Sequence, residues 1–354
     1  VRPDSGWGRY SSDLILGIQK AGHEVVVLTE AGSDGGLPIL KRGLGLFYSA
    51  LQVRKYLKMC DIVHALDIHP YSIIAWLANI YINKPLVITG VGTYSVAPFY
   101  SWKTRWLVHS ACKSARAITA ISRFVGRKLT HATGRKDIQV INPGIDTSKF
   151  HRDHIQNDAP YIVSVGALKQ RKGYHISIPA FAAAKMKNPN LHYVIIGSQR
   201  DKPYVRRLRD LVESLGVKES VQFLTDITDE QLVGIYQKAQ VFILTSVNEG
   251  DHLEGYGLVF LEAAAAGVPV IGTTGNGIED AVGNNGILVP QNDIEQTATA
   301  LIRVLGDSDV WENLSHTGYQ WAQAHDLDNS ANQYTMLYNL ILHKVSHDGN
   351  SQKN

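Results

Sequence analysis

The chain has 354 residues, longer than a single hydrophobic core usually organises, so two domains are the default expectation. Its composition, 44% hydrophobic and 19% charged with no low-complexity tract, is that of a folded globular protein. It holds no apolar run of about 18 residues, which argues against a spanning helix. Two cysteines, Cys60 and Cys112, each beside apolar neighbours, argue against a disulfide framework and suit reduced thiols in the cytoplasm. The net charge of +3 hides an asymmetry. Residues 1–150 carry 19 Lys and Arg against 9 Asp and Glu, a net +10, and the remainder carries −7. A basic half joined to an acidic one points to an anionic partner of the first half. Nucleic acid, a membrane surface and a phosphorylated substrate each satisfy that charge.

In chain order, the spacing predicts a helix over 11–22 closing on Gly22, then a strand, "HEVVVLTE", over 23–30. Strands follow at 61–66, 85–91, 115–122 and 137–144, with helical stretches around 43–59, 71–80, 102–114 and 123–132 between them. Continuous apolar strands alternating with helices predict a parallel sheet covered on both faces. In such a sheet a strand precedes the first glycine loop. This chain opens on "VRPDSGWGRY", so a first strand is expected to be missing from the start. The polar stretch 151–158 reads as a linker between a domain over 1–150 and a second over 159–327. There the alternation restarts with "YIVSVGAL" and runs through "VPVIGT" and "GILVP" to late helices at 294–305, 311–325 and 328–345. The last of these is expected to return toward the first domain, and 346–354 reads as a disordered tail. The fold class is α/β, two Rossmann-like doubly wound domains facing a central cleft.

Within "EGYGLVFLEAAAAGVPVIG" the helix body is apolar on every side except Glu262, and Glu254 stands just before its mouth. A helix N-terminus exposes amide N–H groups and the positive end of its dipole, and favours phosphate. Gly255 and Gly257 let a ligand approach the backbone, with Tyr256 and Leu258 at the same place. Glu262, one turn in, leans back toward that end. It would repel a phosphate but accept paired hydrogen bonds from a ribose attached to it. Glu254, on the near side, would meet hydroxyls at the other end of a nucleotide diphosphate sugar. The alternative gives Glu254 to solvent and leaves Glu262 a satisfied buried acid. "VSVGALKQRKG" ends a strand at Gly166 and presents Lys169, Arg171 and Lys172 at the carboxyl edge of the sheet, where ligands bind in such folds. These cations suit a diphosphate and the charge of its departure. "TTGNGIEDAV" adds a second glycine loop at that edge.

These motifs resemble family 4 of the glycosyltransferases, retaining enzymes of the GT-B fold, along nearly the whole chain. The acid pair Glu254 and Glu262, "VGALKQRKG", "GNGIED", "SGWGRYSSDLILGIQKAGHEVVVLT", "DIVHAL", "AITAISRF" and "INPGIDTSKF" fall in the family's order. The resemblance implies that Glu254 contacts the donor sugar and Glu262 the ribose. It gives the diphosphate to Lys172 and the amides around Gly257 and Leu258, and places Gly6 and Gly8 in a loop facing the transferred sugar. It implies no catalytic metal, no cofactor, retention of anomeric configuration and a UDP- or GDP-linked donor. Two positions depart from the family pattern. Ala167 stands where an arginine is frequent, leaving Lys169 or Arg171 to substitute, and Val91 stands where many members carry a histidine.

The stretch 39–60 combines Leu46, Ala50, Val53 and Leu57 at helical spacing with Lys41, Arg42, Arg54, Lys55 and Lys58, and 101–116 repeats the flavour with two tryptophans. A basic amphipathic helix lies on an anionic bilayer. The competing reading is a helix packed on the sheet with a solvated charged face. The expected partners are therefore a nucleotide sugar, a glycan or lipid-linked acceptor, and an anionic membrane met peripherally from the cytoplasm. Nucleic acid is not expected, since no compact aromatic-basic module is present. His64 and His69 lack a third metal ligand of suitable spacing, and no Ser-His-Asp triad is discernible. Rival functions on the same architecture are a sugar-nucleotide-binding protein without transferase activity and an epimerase. A phosphorylase would need a pyridoxal phosphate lysine and a longer chain.

Overall fold

The computed structural model describes residues 6–30, 35–151, 159–250 and 252–351, with side chains through residue 344. In chain order the elements are α1 (Gly6–Lys20), β1 (Leu28–Glu30), β2 (Leu37–Leu40), α2 (Gly45–Leu57), β3 (Val63–Leu66), α3 (Ile73–Asn79) and β4 (Leu86–Gly90). Then come α4 (Thr93–Val96), α5 (Arg105–Ser114), β5 (Ala117–Ala120), α6 (Arg123–Thr133) and β6 (Gln139–Val140). The second series is β7 (Tyr161–Val165), α7 (Tyr174–Lys187), β8 (His192–Ile196), α8 (Lys202–Ser214), β9 (Val221–Leu224), α9 (Asp229–Lys238) and β10 (Val241–Ile243). It continues with α10 (Leu258–Ala265), β11 (Val270–Thr273), α11 (Ile278–Val282), β12 (Ile287–Val289), α12 (Ile294–Gly306), α13 (Ser308–Ala324) and α14 (Leu327–Ser351).

The chain divides into two compact units, 1–144 with 327–354, and 145–326. The division falls at Gly144 rather than at 150, because 145–147 is tied to the end of α13. Ile145 donates its N–H to the His325 carbonyl at 3.1 Å, and Thr147 Oγ1 donates to Asp326 Oδ2 at 2.6 Å. Of the expected linker, 152–158 lies outside the described residues.

The first unit holds a parallel sheet in the order β3-β4-β5-β6 and a separate parallel pair, β1 with β2. Its core is the apolar strand run Leu86–Ile88 and Ile118 with Val108, Val125 and Leu129 beneath the helices. Helix boundaries follow local chemistry. Ser122 caps α6 by accepting from the Val125 N–H at 3.1 Å, and Gly134 ends it in a left-handed turn. Three expectations fail here. The strand foreseen over 23–30 is formed only at Leu28–Glu30, since Val27 takes a single bond from the Leu37 N–H, at 2.9 Å, and Val25 and Val26 pair with no strand among the described residues. The first helix starts at Gly6 rather than 11, because Tyr10, Leu14 and Ile18 continue the buried face backward and Ser11 Oγ ties the first turn to the Trp7 carbonyl at 2.8 Å. Gly6 and Gly8 are thus in a helical turn, not a loop. The last helix continues to Ser351, past the end foreseen at 345 and into the stretch read as a disordered tail. Each of its polar residues costs only a few tenths of a kcal/mol in a helix already nucleated, and Gly349 about 1 kcal/mol; 352–354 lies outside the described residues.

One face of this sheet is closed by α14 through a buried neutral network. Thr89 Oγ1 and Thr119 Oγ1 are 2.7 Å apart, and the Tyr334 hydroxyl lies 3.2 Å from Thr89 and 3.0 Å from the Tyr10 hydroxyl. His64 Nε2 reaches Thr89 Oγ1 and its Nδ1 reaches the Tyr338 hydroxyl, both at 2.7 Å. Burial pushes the His64 imidazole down to about 3, so the ring is neutral. Ala331 of α14 packs against Gly17 of α1, where a Cβ on the glycine would approach to 2.7 Å.

The second unit is one six-stranded parallel sheet in the order β12-β11-β10-β7-β8-β9. From β7 the chain steps outward in one direction through β8 and β9, then returns beside β7 and steps the other way. The order reverses between β7 and β10, and at such a switch point the carboxyl ends of the two strands leave a crevice for a ligand. Both strands are buried on both faces, as their uninterrupted apolar sequence requires.

Candidate active site

The segments leaving β7 and β10 at the switch point carry most of the residues singled out from sequence. After β7 the chain runs through Gly166 and Lys169 into a single 3₁₀ turn, Gln170–Lys172, that ends at Gly173. Gly173 has φ of 71°, and a Cβ there would lie 1.8 Å from the Thr245 carbonyl oxygen beyond β10. The two strand ends therefore pass at a distance only glycine permits. Thr245 Oγ1 donates to the Gly173 carbonyl at 2.7 Å, and the Val247 N–H donates to the Arg171 carbonyl at 2.8 Å, locking the two segments together.

This lock brings Lys172, Arg171 and Glu254 into one cluster. Lys172 Nζ donates to Glu254 Oε2 at 2.5 Å, and Arg171 Nη1 donates to the same oxygen at 3.0 Å. Ser246 Oγ adds a longer contact of 3.5 Å. Both Lys172 and Glu254 are largely removed from water. Burial alone would raise the Glu254 carboxyl, but Lys172 and Arg171 outweigh it and bring the group down to about 2. Burial lowers the Lys172 ammonium, with Arg171 acting in the same direction and Glu254 opposing. The cluster therefore holds two cations and one anion at the mouth of the crevice.

Immediately after Glu254, Gly255–Gly257 leads into α10. Gly257 caps that helix in the left-handed region, φ 93°, and no side chain caps it, so the helix end is free to receive an anion. The neighbouring glycine loop is bound to this entry: the Gly277 N–H donates to the Glu254 carbonyl at 2.9 Å. Asn276, fully buried, fixes that loop, accepting from the Ile278 N–H at 2.9 Å and donating to Thr273 Oγ1 at 3.0 Å. Tyr256 is buried beside it, and its hydroxyl finds no hydrogen-bond partner among the described residues. Leu258 opens α10.

Glu262 is not in the cluster. It is almost fully buried one turn into α10, where its Oε2 accepts from the Tyr236 hydroxyl at 3.2 Å. Sequence reasoning missed Tyr236, Ser246, Thr245 and Asn276. Only Ser246 had a signal, as a hydroxyl one step beyond a buried strand at a sheet's ligand edge. It also missed that Glu254 is paired with Lys172, 82 residues earlier. Gly6 and Gly8 belong to the first unit. Val91 follows β4 there, and its N–H donates to Ser95 Oγ at 2.6 Å. His64 is consumed by the buried network, and among the described residues no group of three His, Cys, Asp or Glu gathers as a metal site would require.

A model of glycosyl transferases group 1 matches residues 146–321, and a model of glycosyltransferase family 4 matches residues 5–149. The chain belongs to glycosyltransferase family 4. Among curated proteins of the family, it is similar to D-inositol 3-phosphate glycosyltransferase of Corynebacterium urealyticum, 33% identical over 221 residues, 57% of this chain and 50% of that one. It is also similar to a GDP-mannose-dependent alpha-(1-6)-phosphatidylinositol monomannoside mannosyltransferase of Mycolicibacterium smegmatis, 30% identical over 230 residues, 61% of this chain and 58% of that one. The chain thus spans about half the length of the curated relatives it matches. Among solved structures, Anabaena HepE in complex with UDP and glucose superimposes with a TM-score of 0.77 at 19% identity, covering 95% of this chain and 96% of that one. A glycosyltransferase of Rickettsia africae does so with the same score at 18% identity, covering 96% of each. The fold is the GT-B fold of these neighbours, two parallel-sheet α/β domains.

Proposed function

We propose that this family 4 member is a retaining, metal-independent glycosyltransferase that moves a sugar from a UDP- or GDP-linked donor to a glycan or lipid-linked acceptor. The observation that carries the reading is the Lys172–Arg171–Glu254 cluster at the switch point, beside the uncapped end of α10. A diphosphate entering the crevice would draw Lys172 and Arg171 off Glu254 and onto its own oxygens, while the α10 amides meet the distal phosphate. Glu254, released, would bond the hydroxyls of the sugar. As the bond from the anomeric carbon to the phosphate oxygen breaks, the departing nucleoside diphosphate takes the electron pair. The two cations and the helix end then stabilise charge that is larger in the transition state than in the bound donor. The acceptor oxygen, attacking on the face the nucleotide leaves, forms the new bond, and its proton passes to the departing diphosphate oxygen. On this reading Glu262 keeps its place in α10 and serves the ribose, exchanging or sharing its bond to Tyr236, and no cofactor is needed. The relatives' printed names, one GDP-mannose-dependent and two directed at inositol-containing acceptors, and the neighbour's UDP support the donor class and an anionic or lipid-linked acceptor. A basic first half working on such acceptors fits an enzyme on the cytoplasmic side of a membrane.

The test pairs thermal shift with turnover. One of UDP-, GDP- and ADP-sugars is expected to raise the melting temperature, because a ligand of the folded state stabilises it by linkage. That donor should show acceptor-dependent consumption, unchanged by a metal chelator and abolished in Glu254→Ala and Lys172→Ala. Stabilisation by a donor with no turnover across a broad acceptor panel would instead identify a sugar-nucleotide-binding protein. Ala167 and Val91, the two departures from the family pattern, are what keep that second reading in play.

A further inference from the structure

The helix α2 has two apolar faces. The inner one, Leu46, Ala50, Val53 and Leu57, is the set that the sequence offered to a bilayer, and in the structure it is buried in the first unit's core. That expectation is corrected: those side chains are buried where α2 packs against α3 and β2 and are not available to a membrane. The outer face is a second stripe at the same helical spacing, Leu44, Phe47, Tyr48 and Leu51, exposed by 88, 49, 53 and 66%. Single exposed apolar residues are ordinary, but four in register along one helix face are not. Beyond α3, which packs against both α2 and α5, Trp102 just before α5 and Trp106 in its first turn are exposed by 83 and 62%.

The charges around these side chains have one sign. Between residues 35 and 136 the chain contains only two acids, Asp61 and Asp67, against 15 Lys and Arg. Lys41 Nζ lies 4.8 Å from the Tyr48 ring centre and Lys103 Nζ 5.5 Å from that of Trp102, so cations border the outward aromatic rings. The outer stripe continues along α2 into Lys55 and, past its end, Lys58, both exposed. A second protein would have to meet this with an acidic apolar surface, whereas the second copy of this chain would bring the same positive charge. Tryptophans with one wet edge, a short apolar stripe and flanking lysines match the headgroup layer of an anionic bilayer.

We infer that the outer face of α2, with Trp102 and Trp106, is a membrane-docking surface for anionic phospholipid, the Leu44, Phe47 and Leu51 side chains entering the acyl boundary. The inference deepens the proposed function by giving its lipid-linked acceptor a surface from which to be reached. It does not depend on that function, because docking is measured without donor or acceptor.

The experiment is co-sedimentation of the full chain with vesicles of phosphatidylcholine alone or with phosphatidylglycerol added. Binding is expected to the mixed vesicles only, with weakening as salt is raised and a blue shift of tryptophan emission. The triple variant Leu44→Ser, Phe47→Ser, Leu51→Ser should lose roughly tenfold or more in partitioning, and Lys55→Glu with Lys58→Glu a similar amount. Met186→Ser, equally exposed but in the second unit, should lose nothing. Circular dichroism and melting of the triple variant should match the parent, since every substituted side chain is exposed. Transfer to a water-soluble acceptor should be unchanged in it, which separates failure of docking from failure of the proposed chemistry. Absent binding to mixed vesicles, equal binding to both vesicle types, or full binding by the triple variant would each overturn the inference. So would a parent that sediments as a dimer which the triple variant dissolves, since the stripe would then be a protein interface.

Discussion

The two units bury polar groups in opposite ways. In the second, the buried set is ionic: Glu254 between Lys172 and Arg171, at the crevice where β7 and β10 part. In the first, the set that meets α14 is neutral, made of His64, two threonines and three tyrosines, and the buried carboxyl of Asp67 lies outside it on Ser95 and the Ile68 N–H. Taking charges out of water is costly, and a buried ion pair seldom adds net stability over apolar packing. A neutral network of the same size costs less and fixes geometry as well. The ionic version is useful where an incoming charge can exchange partners with it. On the proposed function the contrast marks the unit whose interior would take an anionic ligand, and this is the reverse of what net charge suggests. The unit with the large positive charge keeps it outside, and the acidic unit keeps its key cations inside.

The largest expected effect comes from breaking the ionic set. Lys172→Met retains the stem but leaves Glu254 with Arg171 alone, and removing one partner of a buried pair typically costs about 3–5 kcal/mol. Denaturant unfolding should show that loss in the second unit. A loss below about 1 kcal/mol would mean the cluster is solvated and the contrast false.

Acid sharpens the comparison through its sign. Glu254 is depressed to about 2, so its stabilisation is complete above the ordinary carboxylate value of 4.5 and is lost as pH falls toward 2. His64 is depressed to about 3 from 6.5, and a buried neutral histidine contributes stability that begins to fade as pH drops below 6.5 and is gone near 3. The first unit should thus weaken at milder acidity than the second. Asp67, raised to about 6 by burial against the pull of Ser95 and the Ile68 N–H, works in the opposite direction from about 6 down to 3.8. A single-site comparison is therefore needed. His64→Asn should flatten the pH dependence between 6.5 and 3 by up to about 1.4 kcal/mol per pH unit relative to the parent. Identical slopes in parent and variant would refute a buried neutral His64.

The smallest effect is expected within the network itself. Tyr334→Phe keeps the ring but removes the hydroxyl shared by Tyr10 and Thr89, at about 1 kcal/mol with some compensation between the two threonines. Its melting temperature should fall by a few degrees with no change in donor binding.

Much of the second unit was legible because its determinants are local. Continuous apolar runs such as "YIVSV" and "VPVIG" and the glycines after them define strands and their ligand edge within a few residues. What was not legible depended on partners distant in sequence. The Lys172–Glu254 bond joins residues 82 positions apart, and either looks like an ordinary surface charge by itself. Val25 and Val26 have strand composition, but a strand forms only against a neighbour, and composition cannot supply one. In α2 both apolar stripes obey the same period. Periodicity finds a helix with apolar faces but does not say which face turns inward, so Leu46 and Leu57 were offered to the bilayer and Leu44 and Leu51 passed over. Glu262 was placed correctly one turn into its helix, while its tie to Tyr236 rests on a residue with no motif around it.

The buried hydroxyls of the first unit also fix an order of events during synthesis. Tyr334 bonds to partners 324 and 245 residues earlier in the chain. Domains otherwise tend to fold as they leave the ribosome, the N-terminal one first. Here the early strands emerge with His64, Thr89 and Thr119 able to bond one another but without the tyrosine hydroxyls of α14 until that helix has been made. The second unit, uninterrupted over 145–326, is complete before that. The sheet of the first unit therefore lacks its α14 cover, and needs protection from aggregation, until that helix has been made.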